Sequence, residues 1–245
     1  MRMTVLGKYC PFPAPGVATS GYLIEQGDTR VLFDCGSGVL TRLLAQCPLE
    51  QLDAVVLSHL HEDHVADMQV LAYAWTISQS RGLLPPGKLR LYCPTTPRES
   101  YERLVNAGAF EITPIKPGLQ VMMGRIAVSF KAMTHPVESY GMVIIGGGKR
   151  LFYTGDTNWN ERIVPVAYGA DMMLADAGLL DQELTEASPH LSARQCGLCA
   201  QQAGVKKLLL THLFPGHDPQ QVLSQAREGF AQAMLAEELS VYDFA

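Results

Sequence analysis

Six consecutive residues, His59-Leu60-His61-Glu62-Asp63-His64, constrain this chain more than any other feature. They set four potential metal ligands, His59, His61, Asp63 and His64, just after a short apolar, β-branched run at residues 54–57. One histidine in a loop reads as surface; four imidazole and carboxylate groups packed so closely do not. These are the donors a hard-to-borderline divalent cation prefers, with no thiolate required.

Other strand-like runs end in the same chemistry. The run near 126–131 leads to His135, that at 151–154 to Asp156, and that at 207–211 to His212. Strand C-terminal ends gather at one edge of a sheet, where loops present side chains from a rigid base. His135 or His212 alone would read as a surface histidine. Six of the seven histidines nevertheless fall at or beside this edge.

The remaining pattern predicts strands at 4–6, 22–25, 30–33, 89–93, 119–122, 141–145 and 172–175, with turns at 26–29 and 146–149. Helices are expected at about 39–46, 98–107 and 220–236, and between the strands at 172–175 and 207–211. Another should run from Asp63 or His64 to about Ser80, with Val65, Met68, Leu71, Ala72 and Trp75 on one side. Strand-rich halves, each followed by helices, predict an α/β fold: a four-layer αββα sandwich, in one domain over residues 1–245.

At 245 residues the chain can bury a sizeable core, and no apolar run reaches the 18 or more residues of a membrane span. The N-terminus lacks the pattern of a signal peptide, so a cytoplasmic location is expected. A net charge of -5 without a basic run argues against a dedicated nucleic-acid binder. Two bound divalent cations would still make the site locally electropositive. The six cysteines are expected as free thiols. Cys196-Gly197-Leu198-Cys199 has redox-motif spacing, but it lies in a helical pattern, where core packing is the preferred reading over a redox or metal role.

Ser58 through His64 resembles the HxHxDH signature of the metallo-β-lactamase superfamily, and the resemblance extends from Asp34-x-Gly36 through His212. It implies two divalent ions, zinc first, with manganese or iron as alternatives. By resemblance His59, His61 and His135 hold one ion, Asp63, His64 and His212 the other, and Asp156 bridges them. A hydroxide between the ions would be the nucleophile. Asp34 matches a position that orients an imidazole, although it is also a strand-ending Asp before a glycine turn. His61 stands where flavodiiron members have Glu, and Asp156 where several antibiotic-destroying members have Cys. The first difference favours hydrolysis over oxygen chemistry, and the second favours the thioesterase and phosphodiesterase branches. The short stretch after His212 leaves little room for the helical C-terminal domain of hydroxyacylglutathione hydrolases.

Ser188-Pro189-His190-Leu191-Ser192 narrows the branch. Ser192-Ala193-Arg194-Gln195 reads as a capping box, so His190 sits just before a helix. This segment resembles the ribonuclease Z group, which implies a histidine aimed at the scissile phosphate; otherwise His190 is a solvent-facing residue near a cap. Asp63 and His190 are the catalytic candidates. Only the short segment 136–155 separates His135 from Asp156, where tRNA-processing members insert an RNA-gripping arm, and Asp67 replaces a usual Gly. The expected substrate is therefore a small phosphodiester, a nucleotide or a short RNA, and not precursor tRNA. An ester, thioester or lactone hydrolase is the alternative, and a metal-binding regulatory protein without turnover a third. The resemblance also suggests a homodimer, and the lack of a long apolar run predicts no membrane partner.

Overall fold

In the computed structural model, which describes residues 1–244, the first half builds β1 (Arg2–Gly7), β2 (Gly21–Gln26), β3 (Thr29–Phe33), α1 (Val39–Gln46), β4 (Ala54–Val56), α2 (Glu62–Val65), α3 (Met68–Ser80), β5 (Leu89–Cys93), α4 (Arg98–Asn106) and β6 (Phe110–Pro114). The second half builds β7 (Gln120–Met123), β8 (Ile126–Ala132), β9 (Tyr140–Gly146), β10 (Lys149–Tyr153), α5 (Ile163–Ala167), β11 (Met172–Asp176), α6 (Ala193–Gln202), β12 (Leu208–Thr211), α7 (Pro219–Gly229), β13 (Met234–Leu235) and β14 (Val241–Asp243). The strands form two seven-stranded sheets, ordered β14-β1-β2-β3-β4-β5-β6 and β13-β12-β11-β10-β9-β8-β7.

Side chains alternate across each strand, and here both faces are apolar, as expected for sheets covered on both sides. Met3, Val5, Tyr22, Ile24, Val31 and Phe33 meet Phe130, Met142, Ile144, Leu151, Tyr153 and Leu174 between the sheets. Leu6, Leu23, Leu32 and Val55 instead face α1 and α3 through Leu43, Leu71 and Trp75. Phe152, Met173, Leu208 and Leu210 face α6 and α7 through Cys196, Ala200, Val222 and Ala226. Three apolar layers separated by two sheets make the αββα sandwich. Among the described residues no helix is long and apolar enough to cross a membrane.

Each sheet changes from antiparallel hairpins to parallel pairing. β3 to β6 run parallel, as do β10 to β13. The C-terminal ends of β4, β10, β11 and β12 therefore reach the sandwich edge that carries the functional side chains.

Three expectations are corrected. The helix expected from residue 63 or 64 to 80 is two helices. The backbone leaves the helical path because Cys35 N donates to His64 O at 2.8 Å and Asp67 N donates to Cys35 O at 3.1 Å. Asp67 also accepts from Leu40 N at 2.9 Å, so it supplies α1 with the acidic partner its own first turn lacks. The last helix ends at Gly229, short of 236, because Met234 and Leu235 pair with Leu209 and Leu210 as an added strand. Sheet pairing overrides local helix propensity there. Strands β6 and β14 are also additional to those expected. Cys196 and Cys199 lie fully buried as free thiols in the outer core, and burial raises both well above the ordinary range for a thiol.

Candidate metal centre

The 58–64 loop is held from behind by Asp34. Asp34 accepts from Ser58 N at 2.7 Å, Ser58 Oγ at 2.9 Å and Tyr153 OH at 2.6 Å, and its Oδ2 lies 2.9 Å from His64 Nδ1. Its backbone takes the left-handed conformation, φ 57°, a conformation Asp tolerates better than most residues. Two residues on, a Cβ at Gly36 would lie 2.0 Å from Asp63 O, so only glycine lets this turn pass beneath the ligand loop. The Asp-x-Gly pair is thus a buried cradle for the loop, and Asp34 does orient an imidazole.

Seven groups converge in front of that cradle. His59 Nε2 lies 3.0 Å from His61 Nδ1, which lies 3.2 Å from His135 Nε2; Asp156 Oδ2 is 3.5 Å from His59 and 3.9 Å from His135. Alongside, His64 Nε2 and His212 Nε2 are 3.2 Å apart, and Asp63 Oδ2 lies 3.1 Å from His212 and 3.7 Å from His64. Asp156 also reaches this second group, 3.4 Å from His64 and 3.2 Å from His212. Donors set tetrahedrally about one ion at about 2.0–2.1 Å lie roughly 3.3 Å apart, so these spacings suit metal ligation. Three groups with the spacing to hold an ion follow, His59-His61-His135-Asp156, Asp63-His64-His212 and Asp156-Asp176-His190-His212, and the first two use the seven residues expected as ligands. Asp156 Oδ1 is buried without a hydrogen-bond partner, an orphaned acceptor of the kind an ion satisfies.

Behind the inward nitrogens stands a layer of orienting contacts. His59 Nδ1 meets Ser58 Oγ at 3.1 Å, His135 Nδ1 meets Pro189 O at 3.1 Å, and His212 Nδ1 meets Asp176 Oδ1 at 3.1 Å. Such contacts fix the tautomer, so that the other nitrogen is left to a metal. His212 shares with Asp34 a left-handed backbone, φ 57°, sparse for a non-glycine residue and concentrated at functional sites.

His190 adjoins these clusters, its Nδ1 3.7 Å from Asp156 Oδ2 and its ring centroid 5.4 Å from that of His135 and 4.9 Å from that of His212. Its Nδ1 meets Asp176 Oδ2 at 2.9 Å, and its side chain is 21% exposed, against 4% or less for His59, His64, His135 and His212. Nε2 is then the nitrogen left to the adjoining cavity of about 620 Å³, which His190 lines together with His61, Asp63 and His212. Ser192 Oγ accepts from Gln195 N, and Ser192 N donates to Gln195 Oε1 at 3.0 Å in return, the expected capping box at the start of α6.

The model of the beta-lactamase superfamily domain matches residues 29–213, from just before Asp34 to just after His212. The chain belongs to the beta-lactamase superfamily. The probable metallo-hydrolase YhfI of Bacillus subtilis is 37% identical over 223 residues, covering 89% of this chain and 90% of that protein. The crystal structure of YhfI, a metallo-beta-lactamase fold protein, matches with a TM-score of 0.93 at 31% identity, over 98% of each chain. Ribonuclease Z of Brevibacillus brevis is 24% identical over 299 residues, covering 95% of this chain and 93% of that protein. The short form of human tRNase Z shares the fold, with a TM-score of 0.77 at 20% identity over 100% of each chain. This chain is accordingly a metallo-hydrolase of the superfamily, and its histidine and aspartate cluster has the donors and spacing to hold divalent ions.

The electrostatics agree with that chemistry. Burial holds His59 well below the ordinary histidine value and His135 at about 4, so both present neutral imidazoles. Burial would lower His64 too, but Asp156, Asp63 and Asp34 outweigh it and raise His64 to about 9. Without ions, protons on His64 and its neighbours compensate the carboxylates, so binding of a cation releases protons.

Sequence reasoning passed over Asp176, which ends β11 as Asp156 follows β10 and His212 follows β12. The same strand-end rule reaches it. It also passed over Tyr153, buried between the sheets, and over Phe214 and the seventh histidine, His217, both of which line the cavity. A tyrosine inside an apolar strand and a phenylalanine after a histidine carry no signal that separates them from core residues.

Proposed function

We propose that this metallo-hydrolase is a phosphodiesterase acting on a nucleotide or short RNA, with two zinc ions. His59, His61, His135 and Asp156 would hold one ion and Asp63, His64, His212 and Asp156 the other. Four buried carboxylates, Asp34, Asp63, Asp156 and Asp176, converge here, and the cavity lining includes no Lys or Arg among the described residues. Such a concentration of buried carboxylates supports a pair of divalent ions over one. When bound, the ions supply Lewis acidity toward phosphoryl oxygens and lower the pKa of water to roughly 7.

The observation that carries the phosphodiester reading is His190. It is held by Asp176 and turned to the cavity beside the ligand clusters, so its Nε2 can serve the leaving oxygen or the charge on the phosphate. Hydrolysis of a carboxylic ester, thioester or lactone gives such a group less to do. The segment between His135 and Asp156 holds only β9 and β10, joined across Gly147-Gly148, which supports a small substrate over precursor tRNA.

The test compares bis-p-nitrophenyl phosphate with a p-nitrophenyl ester on metal-loaded protein, and then compares wild type with His190→Ala. Turnover of the phosphodiester is expected to dominate. His190→Ala should keep both ions and lose about 10²–10⁴-fold in kcat on a diester with a poor leaving group, and less with p-nitrophenolate, which needs little protonation. A dominant esterase activity, or near-wild-type diesterase activity in the variant, sinks the reading.

A further inference from the structure

The segment after His212 is pinned to the N-terminal region. Leu213 N donates to Lys8 O at 2.8 Å, and Cys10 N donates to Leu213 O at 3.1 Å. Leu213 turns into the core, 5% exposed, and its neighbour Phe214 turns the other way, 37% exposed, into the wall of the cavity. The Phe214 ring is held on three sides. Phe12 meets it edge-on with centroids 6.0 Å apart, His217 flanks it at 5.1 Å, and a Cβ on Gly216 would lie only 2.6 Å from its Cε1. His217 is itself fixed by Glu183 at 3.0 Å. A flat aromatic surface is thus flanked by its neighbours and left open to the cavity that the candidate ligands line, which lowers the ordering cost of binding a second ring.

We infer that Phe214 is a stacking platform for the base of the substrate, and that the substrate class is a phosphodiester bearing one nucleoside. The inference rests on the phosphodiesterase reading and names the substrate of that same site. Phe214 follows His212 by two residues, so their Cα atoms lie within about 7 Å, and both side chains line the same cavity. Sites that track a nucleic-acid strand combine aromatic platforms with a basic groove. Here the lining has no Lys or Arg among the described residues, so the platform comes without the groove. That combination suits one phosphate at the ligand clusters and one base on Phe214. The cavity of about 620 Å³ lies in the ordinary range for small-molecule sites, roughly 300–1,000 Å³.

Calorimetric binding of adenosine 5′-monophosphate and of ribose 5-phosphate to the metal-loaded protein tests this. The two probes share the phosphate and sugar and differ in the base. The monophosphate should bind tighter by roughly 5–150-fold, the range of one base stacked on an aromatic side chain. That ratio should fall close to one in Phe214→Ala and persist in Phe214→Trp, which keeps a flat ring. Equal binding of the two probes to wild type, or a preference that survives Phe214→Ala, overturns the platform and leaves the phosphodiesterase reading standing. Binding of neither probe by protein that holds its ions removes both.

Discussion

The first sheet brings its share of the centre through one loop. His59, His61, Asp63 and His64 follow β4 in close succession, and Asp34 follows β3 immediately behind them. The second sheet brings His135, Asp156, Asp176 and His212 from the ends of four different strands or just beyond them, with His190 from the loop before α6. One half of the site is written locally; the other exists only when β8, β10, β11 and β12 are in register. The orienting carboxylates differ in the same way. Both carboxylates also accept from neighbouring donors, but Asp34 contacts one imidazole, that of His64, whereas Asp176 contacts two, those of His190 and His212. The dispersed half is therefore the more strongly coupled one.

Asp156 is where the halves meet, and its removal should have the largest effect. In Asp156→Ala, metal analysis of purified protein should show loss of at least one equivalent. A ligand present at about 100 times its Kd stabilises the fold by roughly 2.7 kcal/mol, and most of the melting-temperature gain on adding metal should vanish in the variant. An unchanged ratio of two ions would separate the halves and take Asp156 out of the bridge.

The orienting carboxylates come next. Substituting such a partner typically costs about 10–100-fold in metal affinity or activity. Asp34→Asn should act through metal affinity, by way of His64. Asp176→Asn should lower both metal affinity and kcat at saturating metal, because it orients His190 as well as His212. If the two variants match in every readout, the second half is no more coupled than the first.

What can be read from the sequence follows the same division. The four candidate ligands of the 59–64 loop are legible because their spacing alone is improbable for a surface. His135, Asp156 and His212 are legible only as polar residues following apolar strands. Asp176 meets that rule too, but the apolar run before it ends at Ala175, and its carboxylate passes for a turn residue. The break before Met68 is not legible because what interrupts the helix is the backbone of Cys35, far upstream in the chain. Strand β13 is hidden for a related reason: the stretch 230–236 has the composition of a helix, and only the free edge of β12 makes it a strand. Phe214 becomes visible as a cavity wall only once Gly216 and Phe12 are placed around it.

The smallest expected effect lies in the local support of the dispersed half. Ser192 Oγ accepts from Gln195 N at 3.2 Å and donates to Asp181 Oδ1 at 3.1 Å, closing the cap of α6 two residues after His190. Ser192→Ala should cost about 1 kcal/mol of stability, seen as a fall of roughly 2–4 °C in the melting temperature for a chain of this size. The position of His190 has separate supports, in Asp176 at 2.9 Å and in the neighbouring Pro189 carbonyl, which His135 Nδ1 contacts at 3.1 Å. Well below the transition, kcat should therefore hold while stability drops. A fall in kcat of about tenfold or more, equivalent to about 1.4 kcal/mol of barrier, with both ions retained, would mean that the cap itself aims His190. The dispersed half would then rest on its helix terminus as firmly as the contiguous half rests on Asp34.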